Sequence, residues 1–236
     1  MPRRKAPKLS RKKHPWRLCH EGQHWVRDHT RSNTKEGVQG YCRRNRSGKD
    51  EIQDLEMDEI ASRHFEKLKG PPCPKALGYS QGNKFDTYIR GWTRYWNEVI
   101  QPSQPLSPNL VKAIIATESS FRVRAENPGN KRIGKARGLM QVTEESWRIL
   151  KDEQGELRDH FVVLEQADLL RANQNICAGI RWLFRKREIA SSKLKRQATW
   201  IETVAEYKAY LRDFLKNSNH KKMRELIEIY EALEKC

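Results

Sequence analysis

Residues 110–143 read LVKAIIATESSFRVRAENPGNKRIGKARGLMQVT, and this stretch decides the fold. Its first half predicts a helix with one buried face, because apolar residues recur at three- and four-residue spacing. These residues are Val111, Ile114, Ile115 and Phe121. Glu118 lies on the same face, where a helix that only filled a core would carry Leu. Two interpretations follow: Glu118 is a functional acid, or it ends the helix and reaches out to solvent.

The functional interpretation rests on the cost of burying charge. A charged carboxyl group is expensive to bury without a partner, so burial favours its protonated form. A carboxylic acid that keeps its proton near neutral pH is what general acid catalysis requires. Glu118 is therefore the first candidate for a catalytic residue.

Three motifs around this helix point to one family. Residues 118–121 read ESSF, residues 138–141 read GLMQ, and residues 175–183 read NICAGIRWL. In this order they resemble the signature blocks of the soluble lytic transglycosylases, lysozyme-like enzymes that cut peptidoglycan. The resemblance covers residues 109–211, less than half of the chain.

The resemblance implies roles for particular residues. Glu118 would be the catalytic acid, and the other matched positions would bind substrate along the wall of a cleft. Those positions are Ser119, Gly138, Leu139, Met140, Gln141 and Asn175. For Asn175 a purely structural role is an equally open interpretation.

A fourth motif is present in altered form. The family usually shows Ala-x-x-Tyr-Asn-x-Gly, in which the Tyr points at the catalytic Glu. Residues 204–210 read VAEYKAY, so that Tyr207 matches the Tyr, Lys208 replaces the Asn and Tyr210 replaces the Gly. The resemblance implies that Tyr207 is catalytic together with Glu118 and helps to fix the position and the proton of that acid; Tyr210, one turn on, is the alternative. A Lys beside Glu118 would favour the charged acid, and we therefore expect Lys208 to point outward.

The sequence also predicts where two helices begin. Ser107 followed by Pro108 is typical of a helix start, with a capping hydroxyl and a Pro in the first turn. Thr143 precedes Glu144 and Glu145, and acidic residues are favoured in a first turn. We expect these two residues to cap the helices that flank the GLMQ motif.

The whole chain divides into segments of different character. Residues 50–83 predict an amphipathic helix and a Pro-rich linker, where we place the boundary between an N-terminal appendage and the catalytic unit. Residues 84–215 predict a mainly α, lysozyme-like α+β domain, whose aromatic-rich helix at 84–100 belongs to the core. A small β-hairpin, turning at residues 127–130, would lie beside the cleft. Residues 216–236 predict a C-terminal helix.

Charge is concentrated near the N-terminus. Of the net charge of +17, residues 1–49 contribute +12, with fifteen Lys or Arg against three Asp or Glu. Such a segment favours polyanionic partners, either nucleic acid or an anionic envelope polymer. The alternative is a solvated arm that only aids solubility. We expect residues 1–18 to form a disordered basic tail.

Residues 19–49 combine basic residues with Cys and His. Two thiolates and two imidazoles are the set that tetrahedral zinc prefers, and this segment is too short to fold alone. Cys19, His24, His29 and Cys42 would be the ligands of a structural zinc. Their spacing is not that of a standard zinc finger. The alternative is therefore a basic arm that contains these Cys and His residues by chance. The five irregularly spaced cysteines do not predict a disulfide framework, and Cys177 reads as a core residue.

The implied chemistry needs a single acid. Ordinary glycosidases use two carboxyl groups, and no second one stands out in the sequence. In a lytic transglycosylase the Glu protonates the oxygen between N-acetylmuramic acid and N-acetylglucosamine, and the sugar's C6 hydroxyl closes a 1,6-anhydro ring. The resemblance implies no metal or organic cofactor for this step. The alternatives are a goose-type lysozyme, or a catalytically weak lysozyme-like domain that binds nucleic acid or envelope.

Location follows from the expected substrate. No stretch approaches the roughly 20 apolar residues of a membrane span, and no apolar segment follows the basic N-terminus as in a secretory signal. Because peptidoglycan lies outside the cytoplasm, we expect synthesis in the cytoplasm and delivery to the wall. Phage lysis, carriage in a virion, and a secretion or conjugation machine are the routes that would serve.

Overall fold

The computed structural model describes residues 14–30, 37–217 and 220–236. About 49% of the structure is helical, which confirms the mainly α prediction. The helices are α1 (Asp54–His64), α2 (Asp86–Ile100), α3 (Pro108–Ser119), α4 (Glu144–Lys151), α5 (Ala172–Leu194), α6 (Trp200–Tyr207), α7 (Leu211–Lys216) and α8 (Lys221–Glu234). The strands are β1 (Gln23–Val26), β2 (His29–Thr30), β3 (Gly37–Val38), β4 (Tyr41–Arg44), β5 (Glu51–Gln53), β6 (Glu126–Asn130), β7 (Gly134–Arg137), β8 (Val142–Thr143) and β9 (Phe161–Val163).

Helix α5 forms the centre of the core. It is buried without interruption from Asn173 to Phe184 and packs against α1, α2, α4 and α6. The aromatic helix α2 lies against it: Trp92 Nε1 donates to Asn173 Oδ1 at 2.7 Å, and Trp96 Nε1 donates to the Cys177 carbonyl at 3.0 Å. The prediction that this helix and Cys177 belong to the core is confirmed.

Helix α3 begins and ends where its sequence dictates. The Ser107 side chain accepts a hydrogen bond from the Asn109 amide, and Pro108 occupies the first turn. Thr143 caps α4 in the same way, through the Ser146 amide. Ser120 and Phe121 both adopt positive φ, of 51° and 60°, and this stops α3. Both predicted caps are confirmed, and the stop places Glu118 in the last turn of its helix.

The predicted hairpin is present, but it turns at a different place. Strands β6, β7 and β8 form a three-stranded antiparallel sheet. Residues 127–130 lie within β6, and the reversal follows at residues 131–133. Asn130 Oδ1 accepts hydrogen bonds from the amides of Arg132 and Ile133, at 2.9 and 3.0 Å. This side chain stabilises a turn just after itself, a common use of Asn.

The described residues of the N-terminal segment belong to the same core as the rest. Strand β5 pairs in parallel with β9, which lies 110 positions further on, and apolar residues of α1 join the main cluster. Arg17 is 5% exposed; its guanidinium donates to Asp50, at 2.9 Å, and to Glu56, at 2.8 Å. The expected separation of an appendage from the catalytic unit by residues 50–83 is therefore wrong. Residues 14–18 are packed rather than tail-like, while residues 1–13 lie outside the described residues.

Two disulfides correct the interpretation of the cysteines. Cys19 pairs with Cys42, and Cys73 pairs with Cys236, with Cα–Cα distances of 5.5 and 5.7 Å. Both bonds link residues far apart in sequence, so spacing gives no sign of them. Cys177 is free and fully buried.

The C-terminal helix α8 is fastened along α3. Its last turn is held through the Cys73–Cys236 bond and through Asn109 Nδ2, which donates to the Leu233 carbonyl at 3.3 Å. Met223, Leu226 and Leu233 are buried on its inner face. Among the described residues, no helix combines the length and apolar character needed to cross a bilayer.

Candidate active site

Glu118 lies in a cleft of about 390 Å³. The lining residues come from the end of α3, the sheet β6–β8, the end of α6 and the first turns of α8. The Glu118 side chain is 20% exposed, between the fully buried and the solvent-reaching positions that the sequence left open. The last turn of α3 therefore presents this acid to a space that a ligand can enter.

Lys208 contacts Glu118 directly. Its Nζ donates to Glu118 Oε1 at 2.5 Å, and the Lys208 side chain is only 7% exposed. The expectation that Lys208 points outward is wrong. Helix α6 ends at Tyr207, so the Lys208 side chain leaves the helix end on the side facing α3.

Tyr207 lies in the same cleft and joins two walls. Its hydroxyl donates to the Met140 carbonyl at 2.5 Å, which ties α6 to the turn at residues 138–141. Burial, together with the negative charge of Glu118, raises the pKa of Tyr207 well above its usual value. The phenol therefore keeps its proton, and that proton is directed to Met140 rather than to the acid.

Gln141 reaches the cleft, but its amide is already engaged. Its Nε2 donates to the carbonyls of Ala125 and Gly138, at 3.1 and 2.8 Å, and its Oε1 accepts from Asn127 Nδ2. Gln141 thus fixes the turn against β6. Both amide protons are used, so a sugar hydroxyl could only donate to the second lone pair of Oε1 unless one of these partners is released.

The other residues assigned to substrate binding lie behind the wall. Asn175 is 1% exposed; its Oδ1 accepts from the Met140 amide at 2.8 Å, and its Nδ2 donates to Arg137 and Leu169 carbonyls. Ser119 Oγ donates to the Ile115 carbonyl inside α3. Leu139 and Met140 are fully buried. The structure does not place these side chains where they could contact a substrate directly. They stabilise the wall of the cleft instead.

Gly138 is required by packing. Its φ is +76°, and a Cβ there would overlap Asn175 Nδ2 and the Leu169 carbonyl. We expect Gly138→Ala to lower the free energy of unfolding by about 2–4 kcal/mol, from strain and overpacking. Thermal denaturation should show Tm falling by roughly 5–15 °C. Gly37→Ala is the control, because its Cβ would meet nothing within 4 Å; equal Tm changes for both variants would contradict this account.

Helix α6, which carries Tyr207 and precedes Lys208, begins with a capping box. Thr199 Oγ1 accepts from the Glu202 amide, and the Glu202 carboxylate accepts from the Thr199 amide. Hydrogen bonds from Arg196 are the main reason why the pKa of Glu202 is lowered to about 2.

We expect Glu202→Gln to lower the free energy of unfolding by roughly 0.5–1 kcal/mol at pH 7, because the neutral amide keeps the capping hydrogen bond but loses the charge that pairs with Arg196. A depressed pKa stabilises the fold above the unfolded value of 4.5, and this contribution is lost as pH falls towards 2. Urea denaturation at several pH values should show the difference shrinking over that window. A difference that stays constant down to pH 2 would show that the charge of Glu202 is not responsible.

Two charged residues of the cleft were missed by the sequence analysis. Lys222 and Glu225 line the cleft from α8. A hydrogen bond to Tyr210 and the charges of Glu118 and Glu225 help to raise the pKa of Lys222, which stays charged. In the sequence, the polar face of α8 looks like an ordinary solvent-exposed face. Lys222 and Glu225 are placed in the cleft only because α8 packs against α3.

The four residues expected to bind zinc do not come together as ligands. The sulfurs of Cys19 and Cys42 are joined in a disulfide, so they are not available as thiolates. His24 Nδ1 contacts Asn45 Oδ1 at 2.7 Å, while His29 Nδ1 contacts the Arg27 carbonyl at 3.1 Å. Within the described part of the chain, no three His, Cys, Asp or Glu are grouped to hold a metal ion. The disulfide, rather than zinc, closes this small segment.

A second cleft, of about 610 Å³, lies between the β1–β4 hairpin and α4. Five cationic residues line it, against three carboxylates, Glu51, Asp152 and Glu153. The cations are Arg43, Arg44, Arg46, Arg148 and Lys151. The four Arg residues are exposed, so the cleft presents positive charge to solvent.

Comparison with known protein families identifies the family to which this cleft belongs. A family described as "Transglycosylase SLT domain" matches residues 95–227. This match begins within α2 and ends within α8, so it includes Glu118, the β6–β8 sheet, Tyr207 and the α8 residues of the cleft. No curated protein and no solved structure matches the chain.

Proposed function

The chain belongs to the transglycosylase SLT family, and from that premise we propose that Glu118 is the catalytic acid and base of a peptidoglycan lytic transglycosylase. The family carries lytic transglycosylase-type activity on the peptidoglycan of the cell wall. The observation that supports the role of Glu118 most strongly is its position. It is the acid of the ESSF motif, partly exposed, at the end of α3 in a cleft beside Tyr207.

The proposed reaction cuts the β-1,4 bond between N-acetylmuramic acid and N-acetylglucosamine. Protonated Glu118 gives its proton to the glycosidic oxygen, and the bond from that oxygen to C1 breaks. The C6 hydroxyl of the muramic acid then bonds to C1 and returns its proton to the Glu118 carboxylate. The cycle leaves Glu118 as it began and consumes no water, so it needs neither a second acid nor a cofactor. Tyr207 would act by holding the wall formed by residues 138–141 against the acid.

Hydrolysis is the second candidate reaction, because of the position of Glu225. A lysozyme that hydrolyses the same bond would need a second carboxylate to direct water, and Glu225 lines the cleft that holds Glu118. It is exposed and lies on α8, across from the end of α3. This residue is what favours the goose-type lysozyme as the alternative.

Product masses from purified peptidoglycan separate these possibilities. We expect muropeptides that end in 1,6-anhydro-N-acetylmuramic acid. Reducing ends heavier by one water would favour hydrolysis with Glu225 as the second carboxylate. No product from several wall types would favour a catalytically weak domain that binds nucleic acid or envelope.

The disulfides support action outside the cytoplasm. Structural disulfides are typical of proteins that work in oxidising compartments, and two of them link the described parts of this chain. We propose that the protein reaches the wall through phage lysis, in a virion, or through a secretion or conjugation machine. Non-reducing mass mapping of protein recovered from the wall should find both bonds, and fully reduced cysteines would contradict the proposal.

The basic cleft between the β1–β4 hairpin and α4 supports a proposal for a partner. We propose that it binds an anionic phosphodiester polymer of the envelope, since its lining residues carry five cations against three carboxylates. Binding of a labelled poly(ribitol phosphate) should weaken several-fold in the Arg43→Glu/Arg148→Glu variant, and should weaken with added salt. Lys69→Glu, at another exposed site, is the control. Stronger binding of a single-stranded oligonucleotide would favour nucleic acid instead.

A further inference from the structure

The ion pair between Lys208 and Glu118 constrains the reaction proposed above. Lys208 Nζ lies 2.5 Å from Glu118 Oε1, and the side chains are 7% and 20% exposed. A buried ion pair holds both partners in their charged forms, because each desolvated charge needs the other. In this arrangement the Lys208 ammonium occupies the carboxyl group that would have to give its proton to the glycosidic oxygen.

Protonation of Glu118 would leave Lys208 without a counter-ion. Among the described residues Glu118 is the acid within ion-pair distance of Lys208, while Glu118 and Glu225, the other acid of the cleft, both act on the charge of Lys222. Lys208 is too buried for water to replace the lost partner in full. A cation that stays in place therefore requires another anion to replace Glu118 when the acid takes up its proton.

We propose that Lys208 is a specificity-determining residue that binds a carboxylate carried by the substrate beside the bond to be cut. This inference rests on the proposed function and names what its site recognises. Peptidoglycan strands carry free carboxylates on the peptide attached to muramic acid, and a lactyl carboxylate appears where that peptide has been removed. When such a carboxylate takes the Lys208 ammonium, the Glu118 carboxyl group is released from the ion pair and can act on the glycosidic oxygen.

The charges around the cleft fit an anionic ligand. Lys222 faces the same space from α8 and stays charged. Lys208 and Lys222 together with Glu118 and Glu225 give the resting cleft a balance of two positive and two negative charges. A substrate carboxylate that arrives as Glu118 becomes neutral restores this balance. A strand without carboxylates cannot restore the charge balance, so Glu118 should stay in its ion pair with Lys208.

The first test compares substrates. Native strands should be cleaved about tenfold faster than strands whose carboxyl groups have been converted to methylamides, as expected for one charge-assisted hydrogen bond. Lys208→Asn should cleave both strands at similar rates, while Lys208→Arg should retain the preference. Lys221→Asn, on the exposed start of α8, is the matched control and should behave like the wild type. Amidase-treated strands, which carry only the lactyl carboxylate, show which of the two carboxylates is bound.

The second test measures binding and does not depend on turnover. In Glu118→Gln, Lys208 lacks its carboxylate partner, so this variant should bind native strand fragments about tenfold more tightly than methylamidated ones. Adding Lys208→Asn should remove the difference. Equal binding of both fragments by Glu118→Gln, or a preference that survives Lys208→Asn, would overturn the role of Lys208. Absence of anhydro product from every strand would instead refute the proposed function, so the two failures are distinguishable.

Discussion

The Glu118→Gln variant is expected to form 1,6-anhydro products about 10³-fold more slowly than the wild type, or not at all. A positioned acid and base contributes on this scale, and Gln can neither give nor take the proton. The substitution is nearly isosteric, so the fold should persist, and circular dichroism should match the wild type. The measurement is the initial rate of anhydro-muropeptide formation, followed by mass spectrometry.

Glu225→Gln is the informative control for this experiment. It removes the other carboxylate that lines the cleft, and the transglycosylase reaction does not use a second acid. Its rate should stay within a few-fold of the wild type. If the wild type releases reducing ends heavier by one water, and Glu118→Gln and Glu225→Gln both abolish that release, the reaction is a two-carboxylate hydrolysis. If Glu118→Gln keeps more than a tenth of the rate, the acid lies elsewhere.

Replacing both Cys73 and Cys236 by Ser is expected to destabilise the fold strongly. The bond joins residues 163 positions apart, so it restricts the unfolded chain strongly. In the chain-entropy description this corresponds to about 5 kcal/mol in the free energy of unfolding. The same change at Cys19 and Cys42, 23 positions apart, should cost about 3 kcal/mol. Urea denaturation without reductant measures both values.

Activity gives a second comparison between the two disulfides. Helix α8 carries Lys222 and Glu225 into the cleft and is fastened by Cys236. Loss of that bond should therefore raise KM, whereas loss of Cys19–Cys42 should leave it unchanged. The prediction fails if the two double variants are equally stable, or if reductant leaves the wild-type denaturation curve unmoved.

The sequence predicted those parts of the site that depend on local rules. The helix that carries Glu118, its Ser107 cap and the Thr143 cap of α4 follow from apolar spacing and from short-range hydrogen bonds. The family motifs are local too, and the family that they indicate is confirmed by the family match. The hairpin was expected, but its turn was placed a few residues early, since Asn127-Pro128-Gly129-Asn130 is also a typical turn sequence.

What the sequence did not predict depends on distant contacts. Lys208 reaches an acid 90 positions away, and no periodicity records such a pair. Asn175 and Ser119 lie in motifs that suggest substrate contact, yet tertiary packing buries them. The zinc hypothesis did not anticipate that Cys19 and Cys42 lie near enough in space to bond to each other, which uses both sulfurs.

The parallel pairing of β5 with β9 limits how far the chain can be shortened without disrupting the fold. A fragment trimmed to the matched residues 95–227 would lose β5, α1, Arg17 and both ends of the Cys73–Cys236 bond. It would also cut α2 after Arg94 and so expose the face of α5 that Trp92 covers. Expression intended for crystallisation or labelling should therefore start no later than His14 and retain Cys236.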